Sequence, residues 1–440
     1  MERDAGRSLL LQAYAGKAFL PVACSFVEQS AIALGMGKRE ALGLTLATEE
    51  VFAHLCAVVL KDGEKVEIHC TNGGYYVQVD FTFPASDMDL RAFNLNATVS
   101  FADDADLEEM GLVLASRSVD RFAVTRLEGK GLKLTLLKEK AYPPFDESPV
   151  AIPRPMDRFS VRPPNPEELK LFAHLVKTCY GNQVLPKVFD HPGKLVDMLA
   201  GANYGAAVAV GPAGGTGGGT FWHRAGEKAV ECFGPYLFNQ KAGSPIPGAL
   251  LESCVGAIAR TSALVLINRF ATPEFAREHF EPLGSVRMHT SEGELSRREA
   301  WFRLMHEDPG SIAWVHPELE TFLQQEYRRL VLPRELRQVT NAGEQHPRHS
   351  VISTTFDRPQ ASATLRPIWF GTDFASNLVQ HLKLLRQEGI LNIFFSLDVG
   401  KSWQAAFTPG LLQNGFTPCL IFPCSGEGDM VLFQFQGATP

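Results

Sequence analysis

The sequence lacks three features that would each indicate a particular class of protein. It has no basic excess: 42 lysines and arginines face 49 acidic residues, and the net charge of −7 offers no footprint for nucleic acid or an anionic membrane. It has no long uninterrupted apolar run and no signal-peptide pattern at its start. Its eight cysteines are scattered without the spacing of zinc ligands, which is typical of reduced, structural thiols. We therefore expect a cytoplasmic protein with no nucleic-acid or membrane partner and no metal site.

Composition and length indicate several folded domains. Hydrophobic residues make up 45% of the 440 residues and charged residues 21%, which is typical of globular chains. At roughly 100–200 residues per domain, about three domains are expected. A proline-rich connector predicts the first boundary. The predicted division is an N-terminal domain at 1–143, a linker at 144–159, and two further domains at 160–292 and 293–440.

Periodicity predicts a multidomain α+β fold. In the first domain the spacing of apolar residues predicts a helix over 41–60, and two alternating runs around a Gly-Gly turn predict a hairpin, so that helices cover one face of a mixed sheet. Residues 160–290 alternate helices and strands, with a helix predicted at 273–280. A looser version of this pattern follows from about residue 295, with a helix predicted at 374–387, and suggests an internal duplication. The charged stretch 291–300 is interpreted as a solvated helix start.

The glycine-rich run at 211–219 has the glycine content of a phosphate-binding loop. It lacks the Gly-Lys-Ser/Thr ending that such a loop needs for phosphate and magnesium. It also falls between two predicted strands, so a hairpin tip is the interpretation we adopt.

The first set of candidate residues lies in the N-terminal domain. Glu50 and His54 share one face of the predicted helix, Asp80 follows a strand, and Gly111 precedes a further helix. The segment Ala47-Thr48-Glu49-Glu50-Val51-Phe52-Ala53-His54 resembles the ATPase domain of anti-sigma-factor serine kinases, whose GHKL-like fold is an α/β sandwich. The resemblance implies that Glu50 is the water-activating base, Asp80 the adenine-binding aspartate and Gly111 a glycine beside the phosphates.

The sequence departs from this family at several positions. His54 stands where the family has a magnesium-binding asparagine, and an imidazole is a poor ligand for that hard ion. Phe81 to Phe83 fill a position where the family keeps glycine, and Val113 replaces the second glycine beside the phosphates. We therefore expect ATP to bind weakly or not at all. Taken without the family, Glu50 and His54 are an ordinary solvated helix face and a capped or core histidine.

The second set lies in the strand–loop–helix segment from Cys232 to Pro245. It resembles the GNAT acetyltransferase fold, whose R/Q-x-x-G-x-G/A loop holds the pyrophosphate of acetyl-CoA. Gln240 and Gly243 match this loop, Ser244 follows them, and Pro245 stands at the last position, where it removes a donor. The resemblance implies a CoA thioester as cofactor, held by these residues. A loop that only caps a helix would explain the same residues, and this alternative stays open.

The same resemblance implies a tyrosine that protonates the leaving thiolate. Phe280 occupies that position in the first copy and Leu411 in the second, and neither side chain has a proton to give. Tyr236, on the strand before the loop, is the nearest tyrosine that would have to serve instead.

Nearly the whole chain resembles a family of bacterial proteins that fuse an anti-sigma-type ATPase domain to tandem GNAT-like domains. The ending from Gly415 to Gln434 is the most specific part of that match. One function implied is a regulatory protein with a degenerate ATP site, whose acetyltransferase-like domains bind a protein partner or sense a ligand. The alternative is an acetyl-CoA-dependent N-acyltransferase acting through 160–292, and a third is a serine kinase acting on a regulatory partner. The sequence leaves open whether the protein is an enzyme.

Overall fold

The computed structural model describes residues 6–59, 64–84, 94, 114–127, 131–145, 150–181, 185–289, 295–339, 346–357 and 360–437. The chain divides into two compact units, which are described separately. Unit 1 comprises Met1–Tyr142, Pro347–Ser353 and Gly371–Asp373; unit 2 comprises Pro143–His346, Thr354–Phe370 and Phe374–Pro440. None of the helices in these described ranges is long and apolar enough to cross a lipid bilayer.

Unit 1 packs two helices against a five-stranded sheet of order β1-β2-β3-β5-β4. The predicted helix and hairpin are both confirmed, although every strand pair in this sheet is antiparallel rather than mixed. Residues 3–4 apart on the second helix, such as Leu44, Ala47 and Val51, are buried, so one stripe of the helix supplies the core. The elements are β1 (Ser8–Tyr14), α1 (Leu20–Ala33), α2 (Lys38–His54), β2 (Lys65–Asn72), β3 (Tyr76–Pro84), β4 (Arg121–Arg126) and β5 (Gly131–Glu139).

Unit 2 begins with a seven-stranded sheet of order β11-β12-β10-β9-β8-β7-β6. Its first helix starts at a capping box, in which Asn165 and Glu168 each bond the other's backbone N–H. The elements are β6 (Ser160–Arg162), α3 (Pro166–Tyr180), α4 (Pro192–Leu199), β7 (Tyr204–Val210), β8 (Thr216–Arg224), β9 (Ala229–Leu237), α5 (Ile246–Ile258), β10 (Val265–Asn268), β11 (Glu281–His289) and β12 (Leu295–Leu304).

Two local predictions in this sheet are wrong. Residues 273–280 form no α-helix; a 3-10 turn at Arg277–His279 takes their place. The segment is only about two turns long and lies between two prolines, so an isolated helix there would be marginal. The stretch 291–300 is also no helix start, because its described part belongs to strand β12, which pairs on both sides.

The glycine-rich run is only partly a hairpin tip. The turn itself spans 211–215, and β8 begins at Thr216. Gly219 lies within that strand, where an added Cβ would come within 2.5 Å of the Phe172 ring on α3. This glycine therefore allows a helix to approach the sheet closely.

The remainder of unit 2 repeats the order of the first sheet. The last five-stranded sheet runs β18-β19-β17-β16-β15, as the first runs β11-β12-β10-β9-β8, and in both a helix connects the only parallel pair described. The predicted recurrence is therefore present in the topology. The elements are β13 (Ser311–Val315), α6 (Pro317–Arg329), β14 (Arg334–Gln338), β15 (Val351–Asp357), β16 (Ser362–Trp369), α7 (Phe374–Gln387), β17 (Asn392–Asp398), α8 (Thr408–Gln413), β18 (Phe416–Phe422) and β19 (Met430–Phe435).

The predicted boundary between residues 292 and 293 falls between β11 and β12. These two strands pair along their length in one sheet. The division into domains at 143, 159 and 292 otherwise stays a prediction.

Candidate functional site

The residues predicted for an ATP site in unit 1 lie in the packing of the helices and sheet. Glu50 is half-buried on α2, one turn before His54, of which 6% is exposed. Asp80 was predicted to follow a strand, but it lies within β3. Its carboxylate accepts hydrogen bonds from Gln78 Nε2 (2.8 Å) and Thr135 Oγ1 (2.5 Å), so this acceptor already has partners in the sheet. An adenine amino group would have to compete with them.

The other predicted residues of that site divide into two groups. Phe81 and Phe83 are buried in the core, where they contribute packing. Gly111 and Val113 lie outside the described residues. Weak or absent ATP binding stays a prediction.

The loop after β9 is held to the connector by its own side chains. Gln240 Oε1 accepts from the Met156 N–H (3.0 Å), and its Nε2 donates to the Phe238 carbonyl (2.7 Å). Asn239 Nδ2 donates to the Pro153 carbonyl (3.0 Å), and Lys241 pairs with an aspartate of the connector. Gln240 was predicted to contact a ligand. Its amide oxygen and nitrogen instead make hydrogen bonds within the protein that fix the conformation of the loop.

The same loop presents an open surface at Gly243. This residue is exposed, has a φ of 76°, and would have no atom within 4 Å of an added Cβ. Ser244 Oγ accepts from the Ile246 N–H (3.4 Å), which satisfies one donor of the first turn of α5. Ser244 is thus a local cap, and Gly243 is the predicted loop residue around which space remains.

Strands β9 and β10 diverge beside this loop. Their parallel pairing covers Ala229 to Glu231, whereas β9 continues to Leu237. Side chains bridge the gap: Asn268 Nδ2 donates to the Gly234 carbonyl (3.0 Å), and Thr272 Oγ1 to the Pro235 carbonyl (2.7 Å). These two acceptors are therefore satisfied within the chain.

The side chains at the predicted acyltransfer positions are not placed for proton transfer. The Tyr236 hydroxyl is buried and has no hydrogen-bond partner, and burial raises its pKa far above the usual range. Burial likewise raises the pKa of Cys232 to about 12. Phe280 packs on Phe275, with ring centroids 4.6 Å apart. In the second copy, Leu411 is fully buried.

One charged group on β9 was missed from the sequence. Glu231 is 1% exposed, and both its oxygens accept from Arg269 at 2.6 Å, with His223 Nε2 3.4 Å away. Burial by itself would raise the pKa of Glu231, but the charge of Arg269 and the bonds from His223 and Arg269 outweigh it and lower the pKa to about 2. A glutamate in an otherwise apolar strand, followed by an arginine at the end of the next strand, was the available signal.

No protein-family model and no curated protein matches the sequence. Solved structures similar to part of the chain include a GNAT-superfamily phosphinothricin acetyltransferase from Sinorhizobium meliloti in complex with AcCoA, at 16% identity and a TM-score of 0.28, covering 33% of this chain and 88% of that one. Another is a GNAT-family acetyltransferase from Staphylococcus aureus, at 12% identity and a TM-score of 0.26, covering 34% of this chain and 100% of that one. Acetyltransferases are thus structural neighbours of about a third of the chain.

Proposed function

We propose that the protein is a regulatory, ligand-sensing protein in which the loop Asn239–Pro245 of unit 2 binds a CoA thioester without turning it over. The observation that carries the proposal is the open, exposed backbone at Gly243, next to the start of α5. At the first turn of α5, Pro245 and Pro247 have no N–H and the Ile246 N–H is bonded to Ser244 Oγ, so we expect the helix dipole and the exposed loop backbone to attract the phosphate oxygens. The hydrogen bonds of the Gln240 amide hold the loop in one conformation, which lowers the entropic cost of binding a ligand.

The absence of turnover follows from the neighbouring side chains. A leaving thiolate needs a proton donor within hydrogen-bond reach. The hydroxyl of Tyr236 is buried without a hydrogen-bond partner, on a ring that packs against Phe172, Tyr180 and Phe189. Phe280 has no proton to donate. Asn268 and Thr272 also occupy backbone carbonyls that an extended, amide-containing ligand would otherwise use.

Unit 1 supplies the surface that we propose for a protein partner. Strand β1 is an edge of its sheet, and Leu9, Leu10 and Tyr14 on it are 42%, 63% and 50% exposed. An edge strand with exposed apolar side chains can pair with another chain. We propose binding of that partner and no kinase reaction on it.

The test of the ligand is calorimetric titration of acetyl-CoA into the full chain. We expect Gly243→Trp to weaken binding at least about tenfold, because the indole fills the space over the loop. Gly214→Trp is the matched control, since Gly214 also has a positive φ (82°) and open space around it but lies in the hairpin turn. No affinity in the wild type, or equal affinity in all three proteins, would refute the ligand.

A thiol-release assay tests the absence of turnover. With acetyl-CoA and a panel of amines, we expect free thiol to appear no faster than without protein. Amine-dependent release that is lost in Gly243→Trp would instead establish the N-acyltransferase alternative.

A further inference from the structure

A cleft in unit 2 lies apart from the loop Asn239–Pro245. Two adjoining cavities, of about 530 and 390 Å³, share the side chains of Arg269, Phe270, Arg298 and Glu299. The residues that line them come from the seven-stranded sheet, the last five-stranded sheet and connecting loops; they include Tyr236 and Thr272 but no residue of that loop. What binds in the cleft is therefore a separate question from what binds at the loop.

The cleft is positively charged in a protein that is negatively charged as a whole. Six basic side chains line it against three carboxylates, an excess of three positive charges, whereas the chain carries −7. A concave surface with one dominant sign of charge concentrates ligands of the opposite sign. The basic residues are Lys187, Arg269, Arg277, Arg297, Arg298 and Arg366.

Each carboxylate in the cleft has its own basic neighbour. Glu231 pairs with Arg269 at 2.6 Å. Glu299 lies 3.5 Å from Arg277, and Asp357 lies 3.5 Å from Lys187. The three carboxylates are thus matched with three of the six basic side chains that line the cleft.

Two of the arginines are held in fixed orientations. Arg269 is fixed by Glu231 and lies 5.4 Å from the ring centre of Phe422, yet 47% of its side chain stays accessible from the cleft. Arg298 donates to Gln360 Oε1 at 2.8 Å and lies 5.6 Å from the ring centre of Phe270. Planar guanidinium groups oriented in advance bind carboxylate or phosphate with little loss of entropy.

Arg298 is the less compensated of the two. Burial lowers its pKa, Asp357 acts in the opposite direction, and the charge of Arg269 lowers it further. Two like charges in a partly buried site repel each other, and an anion between them would remove that repulsion.

We propose that this cleft binds an organic anion, whose carboxylate or phosphate group lies between Arg269 and Arg298 and whose apolar body lies against the rest of the cleft. The volume is in the range of small-molecule sites, and such sites combine apolar walls with a few convergent polar groups. The apolar part of the wall includes Ile267, Met288, Phe394 and Leu432.

The test is calorimetric titration of the full chain with phenyl phosphate and with phthalate at constant ionic strength. The two probes distinguish a phosphate ligand from a carboxylate ligand, since both groups are carried on a benzene ring. The difference in affinity between phenyl phosphate and inorganic phosphate measures how much the ring contributes to binding. We expect Arg298→Gln to weaken binding of the preferred probe by about ten- to a hundredfold, as loss of a charged hydrogen-bond donor does. Arg298→Lys keeps the charge without the planar donor and should give a smaller loss.

Two control variants isolate the cleft. Arg303→Gln removes a charge from the same strand β12 outside the lining residues and should bind as the wild type does. Gly243→Trp should also bind the probe normally, so that a failure of the loop proposal is distinguishable from a failure of this one. Absence of binding by the wild type at millimolar probe, or equal affinity for wild type, Arg298→Gln and Arg298→Lys, would overturn the proposal. If Arg298→Gln does not fold, the comparison with Arg298→Lys decides it.

Discussion

The buried carboxylate of Glu231 couples the stability of unit 2 to pH. We expect Glu231→Gln to lower the free energy of unfolding by about 1–3 kcal/mol at neutral pH, since charged hydrogen bonds to Arg269 are lost while that guanidinium stays partly solvated in the cleft. Because the folded pKa is lowered to about 2, the stabilisation is fully present above the unfolded value of about 4.3 and is lost as the pH falls through the folded value. Urea unfolding of both proteins along a pH series measures the difference.

The control for this variant is Glu252→Gln, an exposed glutamate on α5. It should change stability little at any of these pH values. A constant gap between wild type and Glu231→Gln down to the lowest pH at which both remain folded would contradict the role of the ionised carboxylate.

The candidate residues themselves show how far single residues can be interpreted from sequence. Gly243 was identified from its loop pattern, and in the structure no atom lies within 4 Å of a Cβ added to it. Gln240 matched the same pattern, but its amide is turned to the connector, because Met156 lies distant in sequence and no local signal announces that contact. Arg298 was assigned to a solvated helix, because the pairing partners of β12 decide its conformation and lie outside the segment.

Glycine positions on strand β8 decide how closely helix and sheet can pack. We expect Gly219→Ala to destabilise unit 2 by about 1–3 kcal/mol, because the new Cβ would lie 2.5 Å from Cε2 of Phe172 and 3.2 Å from the Ala207 carbonyl oxygen. The Phe172 ring is fully buried and cannot move into solvent. Thermal or urea unfolding of the full chain measures the change.

The matched control is Gly256→Ala on helix α5. An added Cβ there meets no atom within 4 Å, and alanine has the higher helix propensity, so this variant should gain about 0.5–1 kcal/mol. Opposite signs for the two glycines are the expected result. If Gly219→Ala changed the free energy of unfolding by the same amount and in the same direction as Gly256→Ala, the close approach of Phe172 to Gly219 would not limit the packing.

The elements that were predicted well have their determinants nearby in the sequence. Helix α7 spans Phe374–Gln387, the range predicted from its own apolar spacing. The hairpin of β2 and β3 was likewise given by alternation and a Gly-Gly turn. The segment 273–280 was not; Thr272, just before it, bonds the carbonyl of Pro235 on a strand that is distant in the sequence. Long-range contacts of this kind have no periodic signature.

The two halves of unit 2 are joined at strand β11. Gln434 uses its side-chain amide to bond both the N–H (3.3 Å) and the carbonyl (2.5 Å) of Arg287. Asn392 does the same for His289, at 2.7 and 2.9 Å. The side-chain amides of Asn392 on β17 and Gln434 on β19 thus bond the backbone of the edge strand β11, as a neighbouring strand would. The seven-stranded sheet and the last five-stranded sheet are therefore in contact at β11.

From this arrangement we expect a chain ending at residue 289 to fail to fold cooperatively. Such a truncation removes β12, which lies between β10 and β11 in the sheet, together with both amides that bond the backbone of β11. Strand β11 would then expose its backbone groups and the apolar side chains Leu283, Val286 and Met288.

The two amides can also be tested within the full chain. The double variant Asn392→Ala with Gln434→Ala should lower the free energy of unfolding by about 2–5 kcal/mol, because it removes four hydrogen bonds between these side chains and the partly buried backbone of β11. The exposed Gln413→Ala is the control and should change it by less than about 0.5 kcal/mol. A soluble truncated chain with a single unfolding transition as steep as that of the full protein would show that the first half folds independently and that the contact at β11 is dispensable.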